Sequence, residues 1–263
     1  MKPNLWSGFK HVMSINLSGY MNKYSPDIVL SSQNLHLYNL SKQSVETYCL
    51  QGKVRLPDLK VQFLSTFDDV RMAGDDRTAV FIADKHDWFK ATATSLRQLK
   101  LPRVVGKPVS VDIRSDMIAV ACSIQETWQS VVMFNSSGLI RTVIPLCSTC
   151  PPHSVRIDPA GSSIYVANKG VVNKYDLRGK LLYSYGSGIL SGGPTSIDLD
   201  DKGNLLVLDS HACTIHMFDW MGSFVGTSGP DFDRPAALRV NGSAVYVLDI
   251  GTKCVEVFQK LQR

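Results

Sequence analysis

The sequence repeats itself, and a repeat of fixed length limits the fold more than any other feature. Pro108-Val109-Ser110-Val111-Asp112-Ile113 returns as Pro152-His153-Ser154-Val155-Arg156-Ile157. It returns again as Pro194-Thr195-Ser196-Ile197-Asp198-Leu199 and as Pro235-Ala236-Ala237-Leu238-Arg239-Val240. The prolines lie 44, 42 and 41 residues apart. A degenerate copy, Phe67-Asp68-Asp69-Val70-Arg71-Met72, starts 41 residues before Pro108, and a weaker one starts near Pro26, a further 41 back.

Each copy continues alike. A turn such as Asp200-Asp201-Lys202-Gly203-Asn204 leads into a second apolar run, Leu205 to Leu208, that stops at a short polar residue. That residue is Asp84, Asn168, Asp209 or Asp249 in four of the copies. A third run ends in Phe134, Tyr175, Phe218 or Phe258, and a glycine turn opens a fourth. Short apolar or alternating runs bounded by Gly, Asn, Asp and Ser read as strands and turns. Four strands per roughly 40–45 residues is the signature of a propeller blade. The expected fold is therefore all-β: a six-bladed β-propeller forming one domain over residues 1–263, with blades starting near 25, 67, 108, 152, 194 and 235. The last copy holds only three strands. Residues 9–17, in which Met13, Ile15 and Leu17 alternate with Ser14 and Asn16, are expected to complete it and remove two sheet edges.

The Pro-x-x-φ-x-φ start, Asp-x-x-Gly turn, apolar run ending in Asp and φ-x-φ-Phe strand resemble the NHL-repeat family, with Asp200 to Phe218 the cleanest match. The resemblance spans roughly residues 25–258. NHL propellers often form the C-terminal part of tripartite-motif ubiquitin ligases, where they bind protein substrates or RNA. The resemblance thus implies a non-catalytic recognition platform in the ubiquitin pathway. RING and B-box cysteine/histidine arrays are missing here, so no ligase activity is expected of this chain.

Composition sets wide bounds. With 44% hydrophobic and 19% charged residues a sizeable core is expected, and the net charge of +5 permits an acidic partner without requiring one. No run approaches the ~20 apolar residues of a membrane span, and Met1 to Lys10 carries no apolar leader. A cytoplasmic protein with reduced thiols follows as the expectation. Cys147-Ser-Thr-Cys150, with His153 close behind, has metal-clip spacing but no second ligand pair. No cofactor or metal is expected.

The fifth position of the inner strand reads Arg71, Asp112, Arg156, Asp198, Arg239, alternating in sign from blade to blade. These residues are expected to be structural ion pairs along a central channel. Asp84, Asn168, Asp209 and Asp249 suit loop capping, since short polar side chains accept backbone N–H bonds. A ligand-binding rim is expected from Lys85, His86, Trp88, Phe89, Lys90, Arg103, Lys107, Trp128, Lys169, His211 and Lys253, with Trp88 as anchor in a charged loop. The leading expectation is a protein partner. The alternative is single-stranded RNA stacked on the rim aromatics. A metal-dependent hydrolase or lyase with a channel site is the more distant alternative, because no Ser-His-Asp, phosphate-loop or H-E-x-x-H motif appears. Neither a membrane nor a small-molecule ligand is expected.

Overall fold

The computed structural model describes residues 9–17, 24–31, 33–39, 42, 44–51, 54–55, 59–60, 71–74, 80–83, 88–91, 96–99, 107–124, 128–146, 150–190, 193–229 and 232–260. Contacts divide the chain into two compact units: residues 1–18 with 150–263, and residues 19–149. Among the described residues the regular structure is entirely β, and no helix is long and apolar enough to cross a membrane.

The first unit contains three four-stranded antiparallel sheets. One holds β15 (Ser154–Ile157), β16 (Ser163–Asn168), β17 (Val171–Asp176) and β18 (Leu181–Tyr185) in order. The next holds β19 (Pro194–Leu199), β20 (Leu205–Asp209), β21 (Thr214–Phe218) and β22 (Phe224–Ser228). The last holds β23 (Pro235–Asn241), β24 (Ala244–Asp249) and β25 (Cys254–Lys260), to which β1 (Phe9–Asn16) adds as the fourth strand. β1 pairs antiparallel with β25, Ser14 opposite Glu256 and Asn16 opposite Cys254, and Leu17 N–H donates to the Lys253 carbonyl.

The second unit contains three further sheets. Two are four-stranded: β7 to β10 (Arg71–Gly74, Val80–Ala83, Trp88–Ala91, Leu96–Leu99) and β11 to β14 (Lys107–Arg114, Met117–Ile124, Trp128–Asn135, Ile140–Pro145). The sheet nearest the N-terminus departs from the repeat. It contains β2 (Tyr24–Leu30), β3 (Asn34–Asn39) and β4 (Ser44–Cys49), and both β5 (Val54–Arg55) and β6 (Leu59–Lys60) pair with β4. Six four-stranded blades were expected, and among the described residues five sheets have that form. In the sixth the edge of β4 is shared between two short strands.

Period-two alternation explains the apolar runs. Leu205 and Val207 of β20 pack with Tyr165, Val172, Tyr185 and Ile197, whereas Leu206 and Leu208 pack with Leu238, Val245, Val247 and Phe258. Every β20 side chain is buried because the strand lies between two sheets. Burial of each such Leu or Val contributes about 1.5–3 kcal/mol relative to exposure.

The Asp-x-x-Gly turn supplies the register. Asp200 Oδ1 accepts the N–H groups of Lys202 at 2.9 Å and Asn204 at 2.8 Å, and Gly203 N–H returns to the Asp200 carbonyl at 2.9 Å. Gly203 has φ +78°, which only glycine adopts without strain. Asp176, Asp219 and Asn135 make the same pair of side-chain bonds in their own turns.

Candidate functional site

Three successive inner strands of the first unit, β15, β19 and β23, are held together by the third residue of the repeat. Ser154 Oγ accepts Ile197 N–H at 3.4 Å, and Ser196 Oγ accepts Leu238 N–H at 3.1 Å. In the second unit Asp27 Oδ2 does the same for Met72 N–H at 3.3 Å. A side chain at this position therefore stitches one inner strand to the backbone of the next.

The fifth position carries the charges. Arg156, nearly buried, lies 3.5 Å from Asp198 through Nε, and its Nη1 donates to the Val155 carbonyl. Asp198 Oδ2 also accepts Val240 N–H at 2.7 Å. Arg239 Nη1 donates to the Leu238 carbonyl at 2.7 Å and to Ser196 Oγ at 3.4 Å. Asp112 occupies the same position on β11, opposite Ala119.

Arg71 does not belong to this row. Arg71 pairs with Ala83 and Ala73 with Phe81, whereas Ser196 pairs with Leu208 and Asp198 with Leu206. Counted back from the polar residue that ends the second strand, Arg71 stands at the third position and Ala73 at the fifth. The degenerate copy lacks the proline that would have marked its start. The Arg71 side chain lies outside the described residues.

The hairpins after the second strands differ from sheet to sheet. Asp249, 1% exposed, accepts four backbone N–H groups: Asp233, Arg234 and Gly251 at 2.9 Å each, and Thr252 at 3.4 Å. Asp209, fully buried, accepts His211 and Ala212 N–H at 3.1 Å. Both are loop caps. Asn168 occupies the equivalent position and caps nothing. Its Nδ2 donates to the Cys150 carbonyl at 3.2 Å, and its Oδ1 is a buried acceptor with no partner. Cys122, at the same position in β12, is buried, and burial pushes its thiol up to about 12. At neutral pH it is therefore held as the thiol.

The histidines fall into two classes. His216 is buried between Thr214 and Thr227, whose hydroxyls meet both ring nitrogens at 3.2 and 3.0 Å. His36 lies in the same way between Ser31 and Thr47, and burial lowers its pKa to about 4. Both are structural. His11 binds Glu256 on the outermost strand of its sheet. His153 and His211 stand instead at the loop ends of their strands, both exposed. His153 N–H donates to the Ala167 carbonyl, so the residue sits beside the end of β16. Desolvation of the ring lowers its pKa below the usual 6.5. His211 lies over Gly193, where an added Cβ would meet His211 Cβ and Cδ2 at 3.1 Å each. Thr195 and Ser210 hydroxyls join at 2.5 Å at the same end, and Ser210 Oγ donates to the Pro235 carbonyl at 2.5 Å.

Of the expected rim, Lys169, His211 and Lys253 are exposed on these hairpins. Trp88, Phe89 and Lys90 form strand β9, opposite Ala83, Ile82 and Phe81, and are not in a loop. The third strand begins at Trp88 and takes both aromatics with it. Their side chains, and those of Lys107 in β11 and Trp128 in β13, lie outside the described residues, as do Lys85, His86 and Arg103. None of Cys49, Cys122, Cys150, Cys213 and Cys254 forms a disulfide. Among the described residues no group of three or more His, Cys, Asp or Glu side chains converges.

No protein-family model matches the sequence, and no curated protein does. Solved structures do match. A catalytically inactive His-to-Ala variant of virginiamycin B lyase from Staphylococcus aureus, with quinupristin, superposes with TM-score 0.69 at 10% identity, over 93% of this chain and 83% of that one. A streptogramin B lyase gives 0.67 at 13% identity, over 99% and 90%. A protein of unknown function from Bacteroides caccae gives 0.65 at 15% identity, over 83% of each chain. The chain thus has an all-β propeller fold. The NHL assignment is not shown. The expectation of a non-catalytic, tripartite-motif-like platform is overturned, because two of these neighbours are lyases. Repeat pattern alone does not separate a recognition propeller from a catalytic one.

Proposed function

We propose that this chain is a lyase-type propeller, an enzyme that breaks a bond by elimination at the loop ends of its sheets. In this reading the six sheets are the blades of one propeller, and β1 completes the last of them. The observation that carries the proposal is the near-full-length likeness to streptogramin B and virginiamycin B lyases. The local chemistry supports it. Elimination needs a base that is neutral at working pH and reachable by substrate. His153 meets both conditions, since it is exposed and its pKa is held below 6.5. His36 and His216 have both ring nitrogens engaged by hydroxyls, which leaves them no lone pair to offer a substrate. His211 and Lys169 on neighbouring hairpins supply polar groups for a leaving group or a substrate carbonyl.

Product mass is the test. The protein is incubated with quinupristin and with a panel of cyclic ester-linked peptides, with and without divalent cations. Elimination within a ring changes chromatographic retention and leaves mass unchanged, whereas hydrolysis adds the mass of water. Products of unchanged mass support the proposal. Water-adducted products alone, or no turnover by folded protein, overturn it.

A further inference from the structure

In the first unit a group of large apolar side chains stands in water. Trp220 and Met221, at the tip of the turn between β21 and β22, are 65% and 64% exposed. Leu181, Leu182 and Tyr183 of β18 are 50%, 48% and 44% exposed. The two groups meet. A Cβ added to Gly222 would fall 2.2–2.6 Å from the Tyr183 ring, so that ring lies against the turn. A Cβ on Gly203 would stand 3.7 Å from Trp220 Cβ, which brings in the turn at 200–203. Exposed apolar residues are ordinary when scattered singly, but a joined group of them marks an interaction surface. The exposed charge beside it is mostly cationic. Asp176, Asp200 and Asp219 are each occupied by backbone N–H groups of their own turns. The exposed charges on the three turns are Arg178, Lys180 and Lys202, against Asp201 alone.

We propose that this face docks on an anionic lipid surface. Trp220 and Met221 enter the headgroup region, and Arg178, Lys180 and Lys202 meet the lipid phosphates and carboxylates. Indole rings favour the boundary between water and hydrocarbon, and basic side chains near an anionic leaflet add an attraction that salt screens. The local geometry disfavours an added protein strand. β18 ends its sheet, but its pairing with β17 shifts register at Lys174/Tyr175 and leaves Leu182 as an extra residue. Such a bulge breaks the regular spacing of N–H and C=O groups that an incoming strand would need. A turn tip, in contrast, enters a soft surface without a matching cavity. Docking by turn tips uses no long apolar run, which is why the sequence carried no membrane signal. The contact is peripheral and reversible, and it does not depend on the lyase reading.

Vesicle flotation of the full chain is the test. One set of vesicles is phosphatidylcholine alone, and the other contains about 30% phosphatidylserine. Expected is binding to the second set about tenfold tighter than to the first, weakening as NaCl is raised from about 0.1 to about 0.5 M. The double variant Trp220→Ala/Met221→Ala should bind about tenfold more weakly. Lys180→Glu/Lys202→Glu should lose about tenfold or more. All four side chains are exposed, so both variants keep the core, which their melting temperatures check. Sedimentation of the protein without vesicles is measured alongside. No flotation with either set, equal flotation with both, or undiminished flotation of either variant overturns the proposal. A dimer that forms without lipid, persists beside both vesicle sets and is dissolved by Trp220→Ala/Met221→Ala assigns the face to a second copy and overturns it as well.

Discussion

The hairpin after β24 and the hairpin after β16 occupy the same place in the repeat and do opposite things. Asp249 gathers four backbone N–H groups and fixes its own loop together with the incoming 233–234 segment. Asn168 gathers none. The difference is two residues of loop length. With four residues the chain turns wide enough to aim its N–H groups inward, and an acidic side chain becomes a cap. With two the turn closes by itself, and the polar side chain bonds instead to the Cys150 carbonyl. One repeat position is thus a loop cap in one sheet and not in another.

Mutations can break that comparison in graded steps. Asp249→Ala should have the largest effect, lowering stability by about 4 kcal/mol, because it leaves several buried N–H groups without a charged acceptor. Urea unfolding checks this, and a loss below about 1 kcal/mol would mean that the loop does not depend on its cap. Asp209→Ala removes a smaller set of bonds and should cost about 2 kcal/mol by the same measurement. Asn168→Leu should change stability by less than about 1 kcal/mol, since the lost bond to Cys150 is offset by removal of an unpaired acceptor. A loss comparable to that of Asp209→Ala would show that Asn168 is structural after all.

Much of the architecture was legible. The 41–44 residue spacing located five of the six inner strands, and alternation in residues 9–17 anticipated the strand that pairs with β25. Failures came where the repeat decays. In the copy before β8 no proline marks the start, so Arg71 was placed two positions from its register; counting back from Asp84 would have put Ala73 in the charged row. The fifth strand beside β4 left no trace, because two-residue strands carry no periodicity. The candidate site was hardest to read. Asn168 looked like one more cap, although the two-residue spacing to Val171 was already in the sequence. His153 looked like an appendage to Cys150. Its meaning depends on burial at the end of β16, which only the folded chain reveals. Function was misjudged for a simpler reason: strand and turn chemistry is common to propellers that bind and propellers that catalyse.

The pH dependence of quinupristin turnover, measured for the wild type and for His153→Ala, bears most directly on the central claim. The proposed elimination needs the neutral imidazole. Because burial lowers its pKa, that form persists below pH 6.5 and is lost only as pH falls through the lowered value. The account predicts wild-type kcat/KM that is flat near neutrality and declines on the acid side with an inflection below 6.5. It predicts a loss of about 10²–10⁴-fold in His153→Ala, with that inflection abolished. Turnover by His153→Ala at the wild-type rate, with an unchanged acid limb, would contradict it.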